Sequence, residues 1–418
     1  MIEKKHKLLF ISDHPLSTSG VGTQARYLIN GLIQTGKYQV YCYGAAIKHE
    51  NYDQINVTPD WIIKPIDGFG NREMIRLTLA QEQPDAVVLF TDPRFFLSHF
   101  EMEDEIHQVC PIAYWTIWDN GPWPEFNRVL YDSCDLLNCI NYNTYDMISK
   151  NCAYRADSVN WVPHGVPAEL FTRLSDEDIL NNKRNLIKRK DDTFIALWVN
   201  RNARRKMPGD VLYSWKLFVE EVQKKYGHKN VALIMHTDPL DQEGPNLHHM
   251  VDVLKINDTV IFSKDRCDFP QMNVLYNISD CVISRSCAEG FGLSLLEGAM
   301  TGTPSVALKT GGMEYQVVDY RDGSENGIAI PVELRNLVGS QTVPYIWDDQ
   351  CTNETFAAGI MKMYELGPEG RKAKGEKSMQ YSKEVYSIEK MVSTWDRSLE
   401  KCIAEFKAGR PRWTIKKM

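Results

Sequence analysis

Nowhere in its 418 residues does the chain approach the ~18–20 consecutive apolar residues that a membrane-spanning helix needs, so no bilayer-crossing segment is expected. The start, MIEKKHKLLFIS, is apolar only from Leu8 to Ile11, which is too short for a signal-peptide core and predicts a first strand. No CxxC occurs, and the ten cysteines are scattered; Cys134 with Cys139 and Cys281 with Cys287 lack metal-ligand spacing. They read as reduced thiols of a cytoplasmic protein, with no metal site. Basic charge is not in excess. The formal net charge of −7 gives no global attraction to nucleic acid or anionic lipid, although local basic patches stay open. Compositional bias is also lacking: 43% hydrophobic, 25% charged and 11% aromatic residues exclude disordered, collagen-like and coiled-coil classes.

What is present is length and a repeated α/β pattern. Single cores stop growing at roughly 250–300 residues, so two domains are expected. In the first half, short apolar runs at Lys7–Ser12, Gln39–Tyr43, Ala86–Phe90, Ile112–Trp118 and Leu136–Ile140 suit parallel strands covered on both faces. Between the first two, Ala25, Leu28, Ile29, Leu32 and Ile33 recur at helical spacing over Thr23–Gln34. The pattern restarts after the polar stretch Ser175–Asp192, with strands at Thr193–Val199, Val231–Met235, Thr259–Phe262, Cys281–Ser284 and Ser305–Leu308. Helices fall at Asp210–Tyr226, Leu293–Met300 and Ile388–Phe406. The predicted fold is α/β: two tandem Rossmann-like, doubly wound domains facing a cleft. Residues 1–170 form the first domain and 191–385 the second, with a boundary near Pro167–Asp192, and 386–418 form a final helix and tail.

In such sheets ligands sit outside the carboxyl ends of the strands, and the informative motifs lie there. The segment SRSCAEGFGLSLLEGAMTGTPSVALKTGG runs from Ser284 to Gly312. It places Glu289 in a loop and Glu297 a turn into a helix, seven residues apart, with Gly290 and Gly292 between. The free N–H groups at Gly292–Ser294 and the helix dipole suit phosphate. A carboxylate one turn on suits the paired hydroxyls of a ribose. A second loop, NRNARRKMPG, follows the Thr193–Val199 strand and sets Arg201 and Lys206 five apart. A third, SDHPLSTSGVG from Ser12 to Gly22, offers Gly20 and Gly22, with Asp13 and His14 beside them.

These motifs resemble the signature of family 4 glycosyltransferases, retaining enzymes of the GT-B fold. The resemblance is specific over Ser284–Gly312, moderate over Asn200–Met207 and weak in the first domain. It implies that Glu289 approaches the donor sugar, that Glu297 holds the ribose, and that the backbone of Gly290, Phe291, Gly292 and Leu293 holds phosphate. Arg201 and Lys206 would grip the donor diphosphate, although Asn200 and Met207 stand where the family has glycines. Gly20 and Gly22 would approach phosphate and acceptor. In AYWTIWDNGPWP the family's histidine is missing, and Asp119 is the candidate for positioning the sugar or the acceptor hydroxyl, with Trp115, Trp118 and Trp123 as an apolar face. The resemblance further implies a C-terminal helix packing back on the first domain.

Lesser signals are His164 in VPHGVP, read as a turn or hinge, and His236, Thr237 and Asp238 beyond a strand, near the nucleotide. Glu314 in GGMEY sits one position early for the family's glutamate, and Asp176–Asp178 reads as a solvated helix start. The function so implied is transfer of a sugar from a nucleoside diphosphate sugar to a hydroxyl acceptor, with no tightly bound cofactor or metal. A sugar-nucleotide epimerase or hydrolase, and a catalytically silent nucleotide-sugar binding protein, stay open as alternatives. The acceptor class is open among saccharide, lipid carrier, protein and modified base, as is a peripheral membrane contact through Lys183–Lys190 and Arg201–Lys206.

Overall fold

The computed structural model describes residues 4–152 and 157–410. The chain divides into two compact units. The first comprises Met1–Gly165, Gly339–Ile346 and Ile388–Met418, and the second Val166–Val338 and Trp347–Ser387. The final residues 411–418, most of the tail GRPRWTIKKM, lie outside the described residues.

The first unit is built on eight strands: β1 (His6–Asp13), β2 (Tyr38–Ala45), β3 (Ile55–Thr58), β4 (Trp61–Pro65), β5 (Ala86–Thr91), β6 (Ile112–Thr116), β7 (Leu136–Cys139) and β8 (Val159–Trp161). Their order is β3-β4-β2-β1-β5-β6-β7-β8, and every pairing is parallel except β3 with β4. β1, β5 and β6 are sheathed on both faces, which is why their sequences are continuously apolar rather than alternating. The predicted strand at Ile112–Trp118 stops at Thr116, and Ile117 and Trp118 belong to the loop. The first helix starts at Gly20 rather than Thr23, because Ser19 caps it by accepting the Gly22 N–H at 2.9 Å.

The Ile388–Lys407 helix closes the core of this unit. Trp395 is fully buried, its ring edge-on to Trp115 at 5.7 Å. Asp396 accepts from Tyr38 Oη and Lys37 Nζ, both at 2.8 Å, and Ser398 Oγ accepts from Asn138 at 3.2 Å. The helix return implied by the resemblance is therefore present.

The second unit has β9 (Phe194–Val199), β10 (Val231–His236), β11 (Val260–Ser263), β12 (Cys281–Ser284), β13 (Ser305–Leu308) and β14 (Ile328–Ile330). All are parallel, in the order β11-β10-β9-β12-β13-β14. That order is the doubly wound dinucleotide-binding arrangement, with its reversal between β9 and β12. A separate pair, β15 (Leu334–Val338) and β16 (Ile346–Gln350), stands apart from this sheet.

The chain passes between units at Gly165–Val166, ahead of the predicted boundary stretch. Much of that stretch is a helix of the second unit, Asp176–Ile187, capped by Ser175 with three acidic residues in its first turn and no buried residue. Its charge marks a solvated helix rather than a linker.

Candidate functional site

In the second unit the loops leaving β9 and β12 meet at the switch point, where the polypeptide departs in opposite directions and leaves a crevice. After β9, Arg204–Lys206 form one 3₁₀ turn, and Met207 adopts φ 53°, a left-handed conformation, before Pro208 opens the Pro208–Tyr226 helix. The backbone that a glycine would supply is thus kept by a methionine. Such strain concentrates where a loop has to present side chains in a fixed geometry.

After β12, the Cys287 N–H donates to Arg205 O at 2.9 Å, which joins the two loops. Lys206 Nζ contacts Glu289 Oε2 directly. Arg205 Nη1 lies 3.4 Å from the same oxygen and donates to Ala288 O at 3.2 Å. Glu289 is buried, and burial alone would raise its pKa. The charges of Lys206 and then Arg205 outweigh that and hold it at about 2.

Beyond Glu289, Gly292 turns the chain with φ 91° and the Leu293–Met300 helix begins with no side-chain cap. Its first N–H groups are presented by backbone geometry alone, the arrangement that binds anions. Glu297 lies on this helix and is half-buried. Burial pushes its pKa up to about 7, partly opposed by the Tyr276 hydroxyl, which donates to Oε2 at 2.5 Å. The two glutamates therefore differ in charge habit: Glu289 is a fixed carboxylate and Glu297 is balanced near neutrality.

The glycine loop is backed by the turn after β13. The Gly312 N–H donates to Glu289 O at 2.7 Å, and a Cβ on Gly312 would lie 2.3 Å from Gly290 O. Only glycine permits that approach. Gln316 Nε2 donates to Phe291 O at 2.6 Å, and the Phe291 side chain is buried edge-on to Tyr386.

Arg201 is placed differently from its sequence partner. Its guanidinium grips Asp241 at 2.7 and 3.1 Å and its side chain is 64% exposed, whereas Lys206 is buried at Glu289. The second cation at Glu289 is Arg205, which five-residue spacing does not single out; its only sequence signal is membership of the basic run. Tyr276 has no sequence signal, because nothing local ties the Phe269–Asn277 helix to Glu297.

In the first unit, Asp13 at the end of β1 accepts from Ser19 Oγ at 2.8 Å, and the ring of His14 lies 5.5 Å from that of His49. Gly20 and Gly22 belong to the first helical turn, immediately beyond this cluster. Asp119 is half-buried in the loop after β6. The tryptophans do not form a common apolar face. Trp115 is core, stacked on Phe90 at 4.3 Å; Trp118 is buried against Phe126; and the Trp123 indole donates to Glu125. His164 is core as well, edge-on to Trp115 at 4.8 Å.

Elsewhere in the second unit, His236 Nδ1 lies 3.0 Å from Ser263 Oγ, and Glu314 lies 3.7 Å from Lys309. Within the basic stretches Arg184 pairs with Asp191, and Arg201 with Asp241. No helix among the described residues is long and apolar enough to cross a membrane.

Residues 181–335 match the family model for glycosyl transferases group 1. A D-inositol 3-phosphate glycosyltransferase of Paenarthrobacter aurescens is 25% identical over 170 residues, 40% of this chain and 39% of that protein. D-inositol 3-phosphate glycosyltransferase 2 of Catenulispora acidiphila is 35% identical over 82 residues, 20% of this chain and 19% of its own length. The matches thus span well under half of the curated relatives' length. Sucrose-phosphate synthase from Thermosynechococcus elongatus superposes with TM-score 0.71 at 15% identity, covering 96% of this chain and 100% of that one. Anabaena HepE, solved with UDP and glucose, superposes with TM-score 0.66 at 13% identity, covering 95% and 100%. Residues 181–335 thus carry the group 1 glycosyl transferase pattern, and the chain as a whole has the two-domain GT-B fold.

Proposed function

We propose that this chain is a retaining glycosyltransferase of the family 4 type that moves a sugar from a nucleoside diphosphate sugar to a hydroxyl acceptor. The observation that carries the reading is the convergence of Lys206 and Arg205 on Glu289 beside the uncapped start of the Leu293–Met300 helix. Departure of a diphosphate develops negative charge, and preorganised cations and amides stabilise it without reorganising at the moment of reaction. Lys206, Arg201 and the Gly290–Leu293 backbone take the diphosphate, with Arg205 as an added cation. Glu297 accepts from two ribose hydroxyls, which favours its charged form. Glu289, already charged, accepts from donor-sugar hydroxyls once the diphosphate draws Lys206 toward itself. Asp119, Gly20 and Gly22, at the carboxyl ends of first-unit strands, are assigned to the acceptor side.

In the transfer step the bond from the anomeric carbon to the phosphate oxygen breaks. A bond to the acceptor oxygen forms on the same face, and the acceptor's proton passes to the leaving phosphate. No covalent nucleophile, resident metal or cofactor is required of the chain.

A thermal-shift screen of UDP-, GDP-, ADP- and TDP-sugars tests the donor, because a ligand of the native state raises its stability. UDP-glucose comes first, since the Anabaena relative was solved with UDP and glucose. Relatives named for inositol phosphate and sucrose phosphate put phosphorylated polyols first in the acceptor screen. Product with inverted anomeric configuration would overturn the retaining assignment, and turnover of donor without any acceptor would indicate an epimerase or hydrolase.

A further inference from the structure

One buried carboxylate of the second unit lies outside the segment matched to the family. Asp349, on β16, is 1% exposed. Its Oδ2 accepts from Thr310 Oγ1 at 2.8 Å and from Arg335 Nη2 at 3.1 Å, while Arg335 Nε donates to Oδ1. Its backbone N–H donates to Cys287 O at 2.9 Å, and Thr310 Oγ1 also lies 3.4 Å from that carbonyl. The Arg335 guanidinium is held in turn over the Trp347 ring, 4.1 Å from its centroid.

Two of those partners, Cys287 and Thr310, lie in the loops after β12 and β13, on the candidate site. Cys287 is two residues before Glu289, and Thr310 is directly before Gly311 and Gly312. The loops are already joined by the Gly312 N–H to Glu289 O bond and by the contact that forbids a Cβ on Gly312. They are packed directly on one another, and Asp349 bonds to both. A buried carboxylate is costly unless its lone pairs are filled, and here a hydroxyl and a two-point arginine fork fill them. β15 is exposed along its whole length, so strand burial does not account for the pair's attachment.

We propose that Asp349 is a positioning residue: with Arg335 and Thr310 it fixes the placement of the Cys287–Gly292 and Thr310–Met313 loops, and through them the position of Glu289 and the diphosphate-facing amides. The loop-fixing role stands on geometry alone, while its consequence for donor binding rests on the reading proposed above. Asp349→Asn removes the charge that holds the arginine fork, and Thr310→Val removes the hydroxyl without touching the carboxylate.

Two measurements on the full chain decide the matter. Hydrogen–deuterium exchange without ligand should show uptake in residues 287–292 and 310–313 accelerated about tenfold in both variants, with β10 unchanged. Titration with UDP-glucose should show about tenfold weaker binding, and in turnover the rise should fall on the donor KM with kcat within threefold of wild type. Unchanged uptake in the two loops overturns the proposal, as does uptake raised throughout the unit, which would make Asp349 a general stability residue. If uptake rises locally while no nucleoside diphosphate sugar binds the wild type, the donor reading fails and the loop-fixing role stands.

Discussion

Lys206 and Glu289 form a direct ion pair between the two central loops of the second unit, both side chains buried. The pair satisfies two groups that would each be costly alone, and it keeps Lys206 where an incoming diphosphate can compete for it.

Lys206→Ala should therefore cost both stability and binding. Glu289 loses its nearer counter-charge while Arg205 stays, and the fold loses about 1–3 kcal/mol at neutral pH. The wild-type Glu289 pKa of about 2 lies below its ordinary 4.5, so its contribution is complete above pH 4.5 and disappears as pH falls toward 2. That acid-limb loss should be smaller in the variant. Donor affinity should fall at least 100-fold, measured by titration with UDP-glucose.

Glu297→Gln should stabilise the free protein while harming binding. With a folded pKa of about 7 against an ordinary 4.5, the native state retains a proton that the unfolded chain releases, so stability declines as pH rises from 4.5 to 7. Glutamine removes that decline while still accepting from Tyr276. The variant should match wild type at pH 4 and exceed it by about 3 kcal/mol at pH 8, with donor binding at least tenfold weaker. Equal melting temperatures at pH 8 would contradict the argument.

The Arg201–Asp241 pair separates a reserve cation from an idle one. Its arginine is exposed, so Asp241→Asn should move the melting temperature by less than about 1 °C. If Arg201 leaves Asp241 to reach the diphosphate, the same variant binds UDP-glucose about three- to tenfold more tightly, and Arg201→Ala binds it at least tenfold less well. Loss of affinity in Arg205→Ala but not in Arg201→Ala would transfer the role to Arg205.

Both sheets were legible because their inner strands are covered on two faces and so read as unbroken apolar runs. The edges were not. β3 is wholly exposed and β14 has only three residues, so neither carries a periodic signal. At the site, Glu289, Glu297 and the glycine loop could be read from spacing, because one strand, one turn and one helix position them all. Arg205, Tyr276 and Asp349 act across distant segments, and no local pattern encodes such contacts. Spacing also paired Arg201 with Lys206, but spacing does not specify direction, and the guanidinium turns to Asp241.

Trp395→Ala should act on the first unit alone. Removing a fully buried indole from against Trp115 costs about 3–5 kcal/mol. Calorimetry should show the transition assigned to that unit lowered, with UDP-glucose binding to the second unit unchanged. A single transition lowered as a whole would show that the units unfold together.

The helix that completes the first unit is encoded after the entire second one. On the ribosome the earlier half must wait with Trp115 and its neighbours uncovered while some two hundred further residues are translated. N-terminal domains generally fold first as they emerge; here the amino-terminal lobe is the last to be sealed. Nascent chains stalled before residue 388 should for that reason recruit chaperones that release once Trp395 has left the exit tunnel.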